Sequence, residues 1–538
     1  MESPDFIVVG SGSAGSVVAE RLSANGRCNV LVLEAGGSDQ KFFVQMPLGY
    51  GKTFFDPKVN WMYTTETDKG LGGNKDFWPR GKILGGSSSI NAMVWIRGAP
   101  EDFDEWESEG NPGWGWNDML PVFKAIEDNC DGENEYRGAG GPLYISSIED
   151  QVHPLTQTFL DACGEIQLGR NPDFNGAKQE GAGIWQLSTK NGRRNSAARA
   201  FLRPAMKRKN VRVITNAQVS KILFEGTRAV GVRYKRGSEY HEVKAKREII
   251  LSGGSVNSPQ LLQLSGVGPS DLLKSFDIDV VVGNSNVGAN LQDHQGINYT
   301  YRSNRKTLND ILRPWWGKLM VGFQYLAMGD GPLSLSINHG GGFFKTNEQF
   351  DRPNMQLYFQ AFSTVIPRVG ERPILSPDPF SGFSIGLSNC RTLSRGEIMI
   401  RSADPFVHPT IVGNAFSAQR DVDEMLDAVK YIRKIADAPS MRAVIEEEVL
   451  PGSQCKSDEE LIEDFRKRSG TVYHPVSTCR MGPDPQSSVV DSQLKVHGVE
   501  GLRVIDASIF PNIVTGNTNA AAIATGWKGA QLVLEDHQ

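Results

Sequence analysis

The sequence predicts an α/β protein, α+β overall: a Rossmann-like nucleotide-binding domain with a second domain, built on an antiparallel sheet, interleaved into it. Three observations carry this. The chain opens on DFIVVGSGSAGSVVAERL (5–22), an apolar run, a cluster of glycines and then helix formers. Strand patterns of the same kind return in the middle of the chain and again at its end. Between them, over 300–470, strands alternate with aromatic and proline-containing segments such as PNMQLYFQAF and GEIMIRSADPFVHP, with no further strand-helix-strand unit. A chain of 538 residues exceeds one ordinary core, so more than one domain is expected.

Taken in order, the first unit is a strand (DFIVVG), a turn with Gly10, Gly12 and Gly15, a helix (SVVAERLSANG) and a strand (NVLVLEAG) that ends near Glu34. Gly10 and Gly12 permit a tight turn and close backbone approach to a pyrophosphate. Gly15 lets helix pack on strand, and the helix N-terminus supplies N–H donors. Glu34 follows at the roughly 20-residue spacing where an acid accepts from ribose hydroxyls. This points to an adenine dinucleotide and leaves NAD and FAD both open. GKILGGSSSINAMVWIRGAPEDFDEW (81–106) brings a Gly/Ser loop with Asn91, suited to packing backbone amides against a flat ring system. Strands follow in NVRVITNAQVSKILFEGTRAVGVRYKRG (210–237), then a second Gly/Ser loop opening an apolar helix in GGSVNSPQLLQLSGVGP (253–269). The closing unit is GLRVIDASIFP (501–511), a Gly/Asn turn and an apolar helix. The expected division is 1–150, 206–299 and 475–538 for the nucleotide domain, with 151–205 and 300–474 for the substrate domain.

Net charge is −5, with no long basic run, which argues against nucleic acid as a partner. The six cysteines are scattered without C-x-x-C or framework spacing, so a reducing, cytoplasmic setting is expected. MESPD lacks a basic leader and no signal peptide is read. No metal site is read either. No run reaches the roughly 20 apolar residues of a membrane span. The nearest, WWGKLMVGFQYLAMG (315–329), is expected to be a buried or substrate-channel helix, with peripheral membrane contact as the alternative.

The two Gly/Ser stretches resemble the two signature patterns of the glucose-methanol-choline (GMC) oxidoreductases, flavoproteins that bind FAD. NVGANLQDH (286–294), HPVSTCRMG (474–482) and GNTNAAAIA (516–524) follow in family order, so the resemblance spans the whole chain. Residues 171–205 look most like the bacterial branch of choline, sorbose and aliphatic alcohol dehydrogenases. The resemblance implies a cofactor site formed by Gly10, Gly12, Ser13, Ala14, Gly15, Glu34, Ala35, Gly85, Ser87, Asn91, Ala92, Val94, Val219, Asp506, Ala507, Asn517 and Thr518. Where some members join FAD covalently to a His, this chain has Ile90, so non-covalent FAD is expected.

Oxidising an alcohol with flavin needs a base for the hydroxyl proton, while the carbon-bound hydride goes to the cofactor. Of the eight histidines, His474 stands before Pro475, which holds it on a rigid loop, and the family's catalytic base aligns to it. The family's partner position falls on Asn517, an amide that can donate to an oxygen and does not titrate. His294 is expected in a hydrogen-bonding rather than a catalytic role, and the remaining six in structural or surface roles. Thr518 or Asn519 is a candidate cap for the following helix, whose dipole would favour an anionic reduced ring. Asp506 is expected near the phosphate-ribityl region or as a brace for its loop through backbone N–H groups. Trp315, Trp316, Phe323, Tyr325, Phe359 and Phe362 suggest an apolar alcohol or one stacked on rings, although such aromatics more often pack in a core than line a pocket. The expected activity is an FAD-dependent alcohol dehydrogenase passing electrons to a quinone or other non-oxygen acceptor. An oxidase using oxygen, a hydroxynitrile-lyase-type enzyme and a non-catalytic dinucleotide-binding protein are the alternatives.

Overall fold

The structure is a computed structural model that describes residues 3–364 and 377–537. Its first sheet is five parallel strands in the order Val211–Ile214, Val30–Leu33, Phe6–Val9, Glu248–Leu251, Leu502–Val504. Every residue of Phe6–Val9 and Val30–Leu33 is buried, as a parallel sheet covered on both faces requires. Helices Ser13–Ser23 and Asn519–Asp536 pack against each other in this half of the molecule. The approach at the first turn is close. A Cβ on Gly15 would lie 2.1 Å from the Gly10 carbonyl oxygen, so only glycine lets the helix start there. Residues 217–244 add a separate antiparallel sheet of Ala217–Glu225, Arg228–Arg236 and Glu239–Lys244.

The second large sheet is antiparallel, in the order Ile445–Leu450, Gln295–Ser303, Gly382–Asn389, Met355–Gln360, Gly340–Phe344, Gly181–Ile184, with Gly470–Thr471 also paired to Gln295–Ser303. Alternation along its strands separates two faces. Tyr299, Tyr301, Leu357 and Phe359 enter an apolar core with helices Pro154–Glu165 and Gln419–Asp437. Asn298, Thr300, Tyr358 and Gln360 point the other way and line a cavity. Helix Gln419–Asp437 presents Val422, Met425, Val429 and Ile432 to that core at helical spacing. Gln295–Ser303 begins before the boundary expected between 299 and 300, which therefore cuts through a continuous strand.

The six aromatic residues expected in the core or at the pocket divide between core and surface. Phe359 and Phe362 lie in the core, and Trp315, Trp316 and Phe323 lie on the surface; none of the six proposed lines the cavity. Tyr325 is buried and meets the Phe42 ring edge-on. Helix Trp315–Met328 is likewise no channel or core helix. It buries Gly317, Val321 and Tyr325 and turns most of its apolar side chains to solvent. Among the described residues no helix is long and apolar enough to cross a membrane.

Candidate functional site

A cavity of about 1700 Å³ lies between the two sheets. Val9, Leu33 and Leu251, the last residues of three parallel strands, open onto it, the position at which α/β sheets hold ligands. Of the residues expected at the cofactor, Gly10, Gly12, Ser13, Ala14, Glu34, Ala35, Ser87, Asn91, Ala92, Val94, Val219, Asp506, Ala507, Asn517 and Thr518 line it. Gly15 and Gly85 do not. Gly15 is consumed by helix packing, and Gly85 sits behind the loop, at φ +86°, donating its N–H to the Ser11 carbonyl oxygen.

The phosphate end is a backbone cradle. Helix Ser13–Ser23 starts at Gly12 with no side-chain cap and no acid in its first turn, so its N–H groups face the cavity without a competing anion. A Cβ on Gly12 would meet nothing nearer than the Ser252 carbonyl oxygen at 3.9 Å and would stand in the open cavity. Gly86, which sequence reasoning passed over, closes the other side: its Cβ would come within 2.7 Å of the Gly12 Cα. These groups fit a dinucleotide.

Glu34 and Asp506 share a design. Glu34 Oε2 accepts from the Ser11 N–H (2.9 Å) and hydroxyl (2.7 Å), and Oε1 from the Gly36 N–H (2.8 Å). Asp506 accepts from the Gly254 N–H (2.8 Å), the Ser258 hydroxyl (2.6 Å) and the Ser508 N–H (2.8 Å). Burial pushes both carboxyls up, and these donors oppose it. Each carboxylate braces two turns of the cavity wall and keeps lone pairs for a ligand.

At the other end, His474 follows strand Gly470–Thr471 on a loop held from three sides. Its N–H donates to Asp293 Oδ1 (2.8 Å), Arg80 donates to the Tyr473 carbonyl oxygen (2.5 Å), and the Thr471 N–H donates to Asp76 Oδ2 (2.6 Å). Burial pushes Asp76 up to about 7 and Asp293 up to about 6, and lowers Arg80 to about 10.

The imidazole belongs to a hydrogen-bond chain that runs in one direction. The Tyr358 hydroxyl donates to Gln356 Oε1 (2.7 Å), and Gln356 Nε2 donates to Asn517 Oδ1 (3.1 Å). Asn517 Nδ2 donates to His474 Nε2 (3.2 Å), and His474 Nδ1 lies 3.0 Å from His294 Nδ1. His294 Nε2 ends the chain on the Cys390 carbonyl oxygen at 2.9 Å. A carbonyl only accepts, so His294 carries its proton on Nε2 and takes one from His474 at Nδ1. Burial lowers His294 to about 4. Burial, with His294 and Arg80 adding to it, holds His474 well below the ordinary histidine value. Both rings are neutral at physiological pH, and the one lone pair of His474 Nε2, at the cavity, accepts from Asn517 Nδ2.

The hydrogen-bonding partner of His294 is thus His474 itself. Arg80, Asp76, Gln356 and Tyr358 were not legible from sequence; only Asp293, inside LQDH, had a motif around it. Helix Asn519–Asp536 points its N-terminus at the cavity through Thr518, Asn519 and Ala522. Neither expected cap operates by side chain: Thr518 makes no capping bond, and Asn519 Oδ1 accepts from the Ser13 hydroxyl at 2.7 Å.

The sequence and fold have close counterparts. The alcohol dehydrogenase [acceptor] of Pseudomonas putida is 42% identical, over 98% of this chain and 95% of that protein. The oxygen-dependent choline dehydrogenase of Cronobacter sakazakii is 39% identical, over 97% of this chain and 94% of that protein. The crystal structure of pyridoxine 4-oxidase from Mesorbium loti superposes with a TM-score of 0.88 at 30% identity, covering 99% of each chain. Family models described as GMC oxidoreductase match residues 4–296 and 392–526. With both halves of the family pattern matched and relatives alignable over almost its full length, the chain belongs to the GMC oxidoreductases, FAD-dependent enzymes that oxidise alcohols.

Proposed function

We propose that the protein oxidises an alcohol to an aldehyde or ketone, with His474 accepting the hydroxyl proton at Nε2 and Asn517 donating to the alcohol oxygen. FAD, when bound, supplies the hydride acceptor. Gly10, Gly12, Gly86 and the first turn of helix Ser13–Ser23 would hold its pyrophosphate, and Glu34 its ribose. The observation that carries the reading is the direction of the hydrogen-bond chain. It leaves Nε2 of His474 unprotonated beside the Asn517 amide NH2, whose two donors can polarise an oxygen. An alcohol hydroxyl that takes the Nε2 lone pair over from Asn517 gives its proton to nitrogen and receives a hydrogen bond from Asn517 Nδ2 as its charge grows. His474 Nδ1–H stays anchored on His294, so the ring gains its proton without turning.

Ile90, apolar and buried on the cavity wall, supports non-covalent attachment, and acid precipitation should leave the flavin in the supernatant. The relative named alcohol dehydrogenase [acceptor] supports a quinone or other non-oxygen acceptor. Likeness to a solved oxidase keeps oxygen as the second reading. Six free thiols support a reducing, cytoplasmic setting. The test is anaerobic rapid mixing with a panel of alcohols, followed by reoxidation with quinone or oxygen. Flavin that stays yellow with every alcohol overturns the oxidation. Reoxidation faster with oxygen than with quinone overturns the choice of acceptor.

A further inference from the structure

Helix Trp315–Met328 carries an apolar face with no cover. Trp315 is 72%, Phe323 74% and Leu326 72% exposed, and Trp316, Leu319 and Met320 join them at spacings of three and four. Monomeric surfaces seldom leave such a stripe bare without a function. Helix Phe42–Gln45 extends the patch: Phe42 meets Tyr325 edge-on with ring centroids 6.3 Å apart, and Phe42 and Phe43 are themselves exposed.

The charges around this face have one dominant sign. Lys318 is the only charged residue of the helix, Arg313 stands just before it, and Lys41 precedes Phe42. Lys52 sits 4.1 Å from the Phe43 ring centroid, and Arg193 lies close enough to Tyr325 to act on its hydroxyl. One acid stands at each end, outnumbered by these cations and held by a neutral donor. Asp310 accepts from the Thr307 N–H at 2.8 Å, and Asp330 from Gln324 at 3.0 Å.

We propose that this face docks on an anionic lipid bilayer, lying in the headgroup plane with Trp315 and Phe323 inserted and the lysines and arginines on lipid phosphates. A Trp-rich apolar stripe rimmed by cations matches that interface, where aromatic rings and basic residues concentrate. With 14 residues the helix is short of the roughly 20 needed to cross, so it lies on the surface. A second copy of the chain fits worse. Pairing the patch with itself about a two-fold axis would set one cationic rim against an identical one. The docked face is continuous with the cavity wall, since segment Pro332–Ser334 packs on helix Trp315–Met328 and the Ile337 N–H that follows it donates to the Tyr50 hydroxyl (3.3 Å), both residues lining the cavity.

Flotation of the purified flavoprotein decides it, with vesicles of equal parts phosphatidylcholine and phosphatidylglycerol against phosphatidylcholine alone. The wild type should float with the anionic vesicles and much less with the neutral ones. The double variant Leu319→Glu/Phe323→Glu should lose roughly tenfold or more of its partitioning at unchanged melting temperature, because both positions are exposed. Lys41→Glu or Lys318→Glu should each cost about fivefold. Failure to float, or equal binding to both vesicles, overturns the proposal. So does a wild type that is dimeric in sedimentation and that the double variant turns monomeric without vesicle binding, which would make the occupant a second copy.

Discussion

On the nucleotide side of the cavity the groups that meet a ligand are main chain: the turn at Gly10 and Gly12, the loop at Gly86 and the open N-terminus of helix Ser13–Ser23. On the opposite side they are side chains, His474 and Asn517 backed by His294, Gln356 and Tyr358. On the proposed reading the first wall recognises its ligand by what is missing, since Gly10 and Gly86 allow backbone to approach backbone and a Cβ on Gly12 would stand in the open cavity. The second recognises by protons held on chosen atoms. The first should therefore fail all at once, and the second by degrees.

The largest effect is expected from Gly12→Val. Gly12 has φ −69°, an angle valine adopts without strain, so the variant should fold with its side chain in the cradle. The purified protein should be colourless at wild-type far-ultraviolet dichroism; a folded, fully yellow variant would break the contrast between the walls. His474→Ala comes next. It should keep FAD and lower turnover about a hundred- to ten-thousand-fold, the usual range for a positioned general base. A variant bleached by alcohol as fast as wild type would remove the base from His474.

His294→Leu should be milder. It leaves His474 without its Nδ1 acceptor, a loss of about 1–3 kcal/mol of orientation or roughly 5- to 150-fold in kcat, with FAD bound and KM little changed. Equal losses in the Ala and Leu variants would mean that the two rings act as one unit. The smallest effect is in pH. His474 is held below the ordinary histidine value, so below its lowered pKa it is protonated and inactive as a base, and above it neutral and competent. Anaerobic bleaching should rise with pH through a step on the acid side of the ordinary value near 6.5 and be flat at neutrality, and His474→Ala should lack the step. A step at or above 6.5 would show that burial does not govern this ring.

The glycine turn, its helix and Glu34 were legible because all their determinants lie within one strand-helix-strand unit, where periodicity and glycine placement act locally. The antiparallel character of the second sheet was legible from alternation, whereas its strand Gln295–Ser303 was cut in two because it continues past the family loop without a break in pattern. The chemical wall was readable only as far as its motifs. His474 and Asn517 stood out by resemblance, but Gln356 and Tyr358 have no signal of their own, being alternate residues of an ordinary strand.

By itself the sequence determined a dinucleotide-binding unit, its family and the residue types available for proton transfer. Tertiary structure alone decided which nitrogen of His474 is unprotonated. That answer depends on a contact between residues 180 positions apart and on a carbonyl, Cys390, that no motif marks. It also decided the fate of the two apolar helices, Asn519–Asp536 sunk in the core and Trp315–Met328 facing out. Apolar spacing shows that a face needs covering; whether the chain itself supplies the cover depends on where the rest of the fold runs.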